Sequence, residues 1–207
     1  MEKYVTVLGE AVAEHTEKRS KFIATVRHCE TEEEALEFLD EMRTRYWDAR
    51  HNVFAYSIKG QGRFSDDGEP HGTAGKPVFD VINGEGVTDL AVVVTRYFGG
   101  VLLGTGGLVR AYSKSAKDAL ENAKKAEMIP CMVFETVCEY TDHGKLLNLI
   151  EAQGGIIEQS NFTDKVVLRY SLRDGDTDPY MKKLSETFSA RLKAEEIGRK
   201  TVPFEKI

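Results

Sequence analysis

The chain is poor in the features that would place it in a specialised class. It has three cysteines, Cys29, Cys131 and Cys138, an odd number with no C-x-x-C spacing. That argues against a zinc module and against a disulfide framework, and it fits a reducing, cytoplasmic setting. No run approaches the roughly 18 consecutive apolar residues that a membrane helix needs. The opening segment, MEKYVTVLGEAVAEHTEKRSK, carries a charge every few residues and no apolar stretch, so no signal peptide is expected. Internal repeats and low-complexity segments are also lacking. No strong charge excess exists either: 28 basic against 34 acidic side chains give a net charge of -6. Global charge therefore does not announce a nucleic-acid binder, and any such site must be local. With 207 residues, 41% of them hydrophobic, the chain is long enough for one or two domains with cores of their own.

What stands out is Val92 to Ser113, VVVTRYFGGVLLGTGGLVRAYS. It reads as a buried strand (Leu90 to Thr95), then Arg96 and the aromatics Tyr97 and Phe98, then a loop with Gly99, Gly100, Gly104, Gly106 and Gly107, then a helix. Glycines let backbone approach a ligand closely, and a helix start presents unpaired amides and a positive dipole end. Neither named nucleotide motif fits. Gly99 and Gly104 have P-loop spacing, but Thr105 and Gly106 follow where Lys and Ser or Thr are required, and Gly104, Gly106 and Gly107 give G-x-G-G in place of G-x-G-x-x-G. The loop is therefore either a general anion site or a set of tight turns with close strand-helix packing.

At about 100 degrees per residue, Leu108, Tyr112, Ala116, Ala119, Leu120 and Ala123 fall on one face of the following helix, and Arg110, Lys114, Lys117 and Lys124 on the other. From Arg96 to Lys125 six basic residues face only Asp118 and Glu121, a local balance of +4. Such a stripe is either a footprint for phosphates or a solvated helix face.

Before this stretch, strands are expected over Tyr4 to Ala13 and Phe22 to Val26, separated by polar His15 to Lys21, in which Lys18, Arg19 and Lys21 cluster. Thr31 and Glu34 form a capping box for an acidic-faced helix with Ala35, Phe38, Leu39, Met42 and Tyr46 inward. Asn52 to Ile58 reads as a strand. Gly60 to Gly75, GQGRFSDDGEPHGTAG, reads as one long loop, and loops of that length are usually functional or disordered. Its Asp66, Asp67, Glu69 and His71 are either metal or base candidates or ordinary turn formers; no metal and no cofactor are expected. Lys76 to Ile82 reads as a short helix. After Pro130, a strand (Met132 to Tyr140), a helix capped by Asp142 and stopped by Gly154 and Gly155, two strands (Ile156 to Phe162, Lys165 to Leu172), a helix opened by Asp178-Pro179 and a strand (Arg199 to Phe204) give β-α-β-β-α-β, the ferredoxin-like order. The expected class is α+β with two domains, 1–131 and 132–207.

The segments SDDGEPHGTAGKPV (Ser65 to Val78) and TRYFGGVLLGTGGLVRAYS (Thr95 to Ser113) together resemble the signatures of the IMPACT family, and the layout resembles its bacterial, YigZ-like branch over essentially the whole chain. The resemblance implies an N-terminal fold of the kind found in ribosomal proteins and in a late domain of elongation factor G, and a C-terminal fold similar to another domain of that factor. Eukaryotic members repress a stress kinase acting on translation initiation, using an extra N-terminal interaction domain. This sequence opens directly in the IMPACT-like region, so that role is not carried over. For bacterial members the resemblance implies a nucleic-acid or translation-related role without an established reaction.

Three functional readings follow. The first is a translation-related module that contacts RNA or ribosome phosphates through Arg96, Tyr97, Phe98, Gly99, Gly100, Gly104, Thr105, Gly106, Gly107, Arg110, Lys114 and Lys117, with the aromatics stacking on bases. The second is a nucleotide-binding, small-molecule-kinase-like enzyme that pairs the glycine loop with Asp66, Asp67, Glu69 and His71; no catalytic residue beyond these is indicated. The third is an adaptor whose acidic helix meets a basic translation-associated protein. A monomer without membrane association is expected.

Overall fold

The computed structural model describes residues 2–205, and the chain divides into two compact units, Tyr4–Glu127 and Met128–Phe204. In the first, β2 (Glu10–Glu17), β3 (Ser20–His28), β6 (Leu90–Tyr97), β4 (His51–Ile58) and β5 (Gln61–Ser65) lie side by side in that order, each pair antiparallel. Alternation along β6 explains why it reads as one continuous apolar run. Leu90, Val92 and Val94 point to one face of the sheet, where α2 (Gly75–Gly84) and α3 (Thr105–Asn122) pack, and Ala91 and Val93 point to the other, against α1 (Glu32–Arg45). A strand covered on both faces has no polar side to display. β1 (Tyr4–Leu8) adds Val5 and Val7 to the larger core.

α1 is capped as its sequence dictates at one end of the box: Thr31 Oγ1 accepts the amide of Glu34 at 3.2 Å. The Glu34 carboxylate reaches back to the amide of Glu30 at 2.7 Å, one residue before the cap. Phe38, Leu39 and Met42 are buried beneath it, each contributing about 1.5–3 kcal/mol by removal of apolar surface from water.

The second unit runs β7 (Lys124–Cys138), α4 (Tyr140–Ala152), β8 (Ile156–Phe162), β9 (Val166–Arg173), α5 (Thr177–Thr187) and β10 (Ala194–Glu205). β10 pairs β7, β7 pairs β9 and β9 pairs β8, which is the neighbour order of a ferredoxin-like sheet. Phe134, Leu146, Ile150, Tyr170, Tyr180 and Phe188 fill the core. Three of its hydroxyls are linked in a chain, Tyr170 bonding both Thr136 at 2.8 Å and Tyr180 at 2.6 Å. All three cysteines are free and buried, and burial raises each thiol above its ordinary pKa, Cys29 to about 11.

Several elements depart from the sequence reading for identifiable reasons. His15 to Glu17 continues β2 into a two-residue turn at Lys18 and Arg19. The expected sixteen-residue loop is shorter, because Gln61–Ser65 pairs with β4 as an edge strand. Gly62 is needed there because a Cβ would overlap the Phe79 ring. α3 ends at Asn122, so Lys124 belongs to β7 and not to the helix. Pro130 lies inside β7, just before the pairing with β9 that starts at Cys131. Asp142 sits in the first turn of α4, capped by Glu139, and spends its carboxylate on Arg191. Gly154, at φ 70, does end α4. α5 starts at Thr177 after a short 3-10 turn, with Asp176 as cap, so Asp178-Pro179 falls inside its first turn.

Because, among the described residues, the core clusters of the first unit draw on residues between Val5 and Ala123, a chain ending at Glu127 is expected to fold by itself. Near-ultraviolet circular dichroism with a cooperative melt checks this; a flat near-ultraviolet spectrum would contradict it.

Candidate functional site: the two glycine-rich loops

The residues between β5 and α2 are held by a turn that the sequence spells out. The Glu69 amide donates to the Asp66 carbonyl at 2.9 Å, with Asp67 at φ 43 and Gly68 at φ 82 between them. Asp and Gly tolerate this left-handed backbone better than other residues. The three acids then take different tasks. Asp66 accepts the amides of Gly72 at 2.8 Å, Ala74 at 3.1 Å and Gly75 at 2.8 Å, which caps the start of α2 from a distance. Burial works against its charge, but these amides outweigh it and hold the carboxyl below its ordinary value. Asp67 accepts the amide of Asn52 at 2.6 Å, and its carbonyl meets His51 Nδ1 at 2.8 Å. Gly75 packs so closely on the Ser65 backbone that a Cβ would collide. His71 is fully exposed, 3.8 Å from Asp66.

Glu69 points inward. It is buried, and one carboxylate oxygen takes both Arg96 Nη1 at 2.6 Å and the Tyr112 hydroxyl at 2.7 Å, with His51 Nε2 4.0 Å away. Arg96, at the end of β6, is only 6% exposed. Its guanidinium lies between the rings of Phe22 and Phe98 at 5.5 and 5.6 Å, and Nη2 donates to Ser20 Oγ at 3.4 Å. Nε is buried without a hydrogen-bond partner among the described residues. Tyr112 is pushed well above its ordinary pKa, by burial first and by the Glu69 charge second, so it stays a neutral donor. The two loops thus meet through one carboxylate: Glu69 from the first holds the strand end and the helix that flank the second.

The glycine loop itself is docked at one point and open elsewhere. The Gly99 amide donates to Ser20 Oγ at 3.2 Å, and a Cβ at Gly99 would overlap the backbone of Arg19 and Ser20. Gly100 and Gly104 have φ of 83 and 74, which favours glycine. Gly106 and Gly107 are ordinary helical residues, and a Cβ at Gly106 would meet nothing closer than Arg110 Nη1 at 3.5 Å. α3 begins at Thr105 behind Gly104, with no side-chain cap, and Thr105 and Gly106 are exposed. At the loop tip Leu102 is 82% exposed, and Phe98 is half-exposed. Tyr97 turns away, donating to Asp48 at 2.8 Å; burial and that carboxylate push its pKa to about 12.

The basic side chains separate into two groups. Lys114 pairs with Asp118 at 2.8 Å and Lys117 with Glu121 at 3.8 Å, each one turn along α3. Arg96 is committed to Glu69. Arg110 is exposed and has no ion pair among the described residues, and it lines a cleft of about 360 Å³ with His15, Glu17, Gly107, Ala111 and Lys114. Ser20, His51 and Asn52 were not singled out by sequence. Tyr112 was read as a core residue; a buried tyrosine hydroxyl needs a partner, and that need was the available signal.

Two consequences are measurable by urea unfolding. Glu69→Ala leaves Arg96 buried and unpaired, and is expected to lower stability by about 3–5 kcal/mol. Asp66→Asn is expected to lower it by about 1 kcal/mol at neutral pH. Because the folded carboxyl of Asp66 sits below its unfolded value of about 3.9, its contribution is complete above that pH and drains as pH falls through the lower, folded value. The variant should therefore lose less stability than the parent between pH 5 and pH 2, and equal losses would refute the assignment.

Residues 18–120 match the Impact N-terminal domain, and residues 136–191 match a domain of unknown function, DUF1949. The IMPACT family member YvyE of Bacillus subtilis is 32% identical over 90% of this chain and 87% of its own length. YigZ of Escherichia coli is 36% identical over 82% of this chain and 85% of its own. An IMPACT family member of Thermus thermophilus is 38% identical over 84% and 97%. A crystal structure of a hypothetical protein superposes with a TM-score of 0.64 at 33% identity, covering 96% of this chain and 98% of that one. With the glycine loop, the SDDGEP turn and the two-unit order all within the matched span, the chain belongs to the IMPACT family.

Proposed function

We propose that this protein is a translation-associated RNA- or ribosome-binding module that contacts phosphate at the start of α3. The supporting observation is the juxtaposition there of exposed, uncapped helix amides with the unpaired cation Arg110 on the next turn. Such amides and the positive dipole end favour anions. The half-exposed Phe98 adds a ring face at the base of the same loop. The translation link comes from the family resemblance to ribosomal-protein and elongation-factor folds.

Arg96 plays a different part in this reading from a direct phosphate ligand. It is the buried tie that holds the loop's entry strand, while Arg110 is the residue that meets solvent. Lys114 and Lys117 contribute less than a free cation would, because each already has an acid beside it. The kinase-like alternative has weaker support. Asp66, Asp67 and Glu69 are all engaged by protein groups, which leaves their loop short of free ligand oxygens.

Fluorescence anisotropy with labelled RNA and with purified ribosomal subunits, at about 50 and 200 mM salt, tests the proposal. Binding at low salt that weakens at high salt is expected. Arg110→Ala should reduce the slope of log K against log salt by about 0.7–0.9, one phosphate contact, without changing the melting temperature. Lys114→Ala should change it less. No binding to any RNA or subunit at low salt would overturn the proposal.

A further inference from the structure

A surface that extends from Phe98 to residues not yet considered carries a more specific inference. It starts at Trp47, the chain's single tryptophan, which is 82% exposed in the turn between α1 and β4. A tryptophan spread into water at that level forgoes the burial that usually retains it. Its position is fixed by a row of bonded neighbours. Asp48, the next residue, accepts the Tyr97 hydroxyl; Tyr97 leads into Phe98; Gly99 binds Ser20 Oγ; and Ser20 follows the Lys18-Arg19 turn, on whose backbone Gly99 is pressed. Trp47, next to the Asp48–Tyr97 bond, and Phe98, over the buried Arg96, therefore lie at the same end of the sheet, where β6 stops and β4 starts, with the Lys18-Arg19 turn against Gly99 at that end.

The turn is itself anomalous. Lys18 and Arg19 are the two central residues of the β2–β3 hairpin, with φ of 45 and 68. Two positive φ values in a two-residue hairpin define a turn that strongly prefers Asn-Gly, and left-handed backbone at a bulky residue carries strain. The chain keeps two long cations where a stability-optimised hairpin would have neither. Lys18, Arg19 and Arg50, three residues beyond Trp47, are all exposed, and none has an ion pair among the described residues. Asp48 is the acid within the row, and one of its oxygens is occupied by Tyr97.

We infer that this end of the sheet, with Lys18-Arg19, Phe98, Trp47 and Arg50, is a platform for single-stranded RNA, with the cations tracking phosphates and the two rings stacking on unpaired bases. The inference rests on the RNA reading above and deepens it. Exposed ring faces can stack only on bases that are not already stacked in a duplex, and alternating rings and cations are how sequence-tolerant single-strand binders work. A duplex would use the cations and leave Trp47 idle.

The single tryptophan makes the test direct. Titrating the full chain with a single-stranded oligoribonucleotide of about a dozen residues, within the usual site-size range, should change Trp47 emission, whereas a duplex of equal length should not. Trp47→Ala should weaken single-strand binding about tenfold and Trp47→Phe much less. Lys18→Asn combined with Arg19→Gly installs the turn's preferred residues, so it should fold at least as well while lowering the salt slope by about 1.4, two single-strand phosphate contacts. If RNA binds and responds to Arg110→Ala but to none of these variants, with tryptophan emission unchanged, this inference falls and the proposed function stands. If the variants weaken duplex and single strand alike, the platform is electrostatic only and the stacking assignment falls. If no RNA binds and Trp47→Ala instead abolishes capture of a protein partner, both fall.

Discussion

One buried ion pair organises the first unit. Glu69 and Arg96 meet at 2.6 Å in a site that solvent barely reaches, and Tyr112 completes the carboxylate's shell. The three residues come from a turn, a strand end and a helix that are far apart in the chain. Taking such charges out of water is expensive, and an apolar trio of equal volume would often be at least as stable. What an ion pair adds over an apolar contact is direction: a carboxylate with two short donors accepts one geometry, so the glycine loop between Arg96 and Tyr112 is anchored at both ends while its middle stays open. The Gly99 contact with the β2–β3 turn supplies the third fixed point.

The same economy is visible in the acids of the SDDGEP turn. Asp66 caps the start of α2, Asp67 clips the start of β4, and Glu69 enters the core. Adjacent carboxylates in a glycine-rich loop invite a metal or catalytic reading, yet their oxygens are largely spent on backbone amides, the guanidinium groups of Arg96 and Arg43 and the Tyr112 hydroxyl. Building the loop out of side-chain to amide bonds keeps its backbone satisfied without regular structure, and it explains why the loop can be both irregular and fixed.

The order of elements was readable from sequence because most of it is written in local pattern. The period-2 runs of β4 and β9, the Thr31 cap, the apolar face of α3 and the Gly154 stop each follow from nearest-neighbour physics. β5 was hidden because QGRFS has little strand character; it exists because β4 offers an unpaired edge. The candidate site was legible in composition but not in role. Arg96 and Arg110 look alike in the sequence, and only the fold shows that one is sealed beneath the loop and the other stands above it. Trp47 and the Lys18-Arg19 turn gave no periodic signal, since an exposed ring and a strained turn are visible only once coordinates define exposure and φ.

The cysteines have a practical meaning beyond their place in the two cores. Each is shut away from solvent, and burial keeps each in the unreactive thiol form, so alkylating reagents and mild oxidants find no target while the chain is folded. Cys29 belongs to the first unit, and Cys131 and Cys138 to the second. Thiol modification therefore acts as a pair of built-in clocks, one per unit, each running at the rate at which its own core opens.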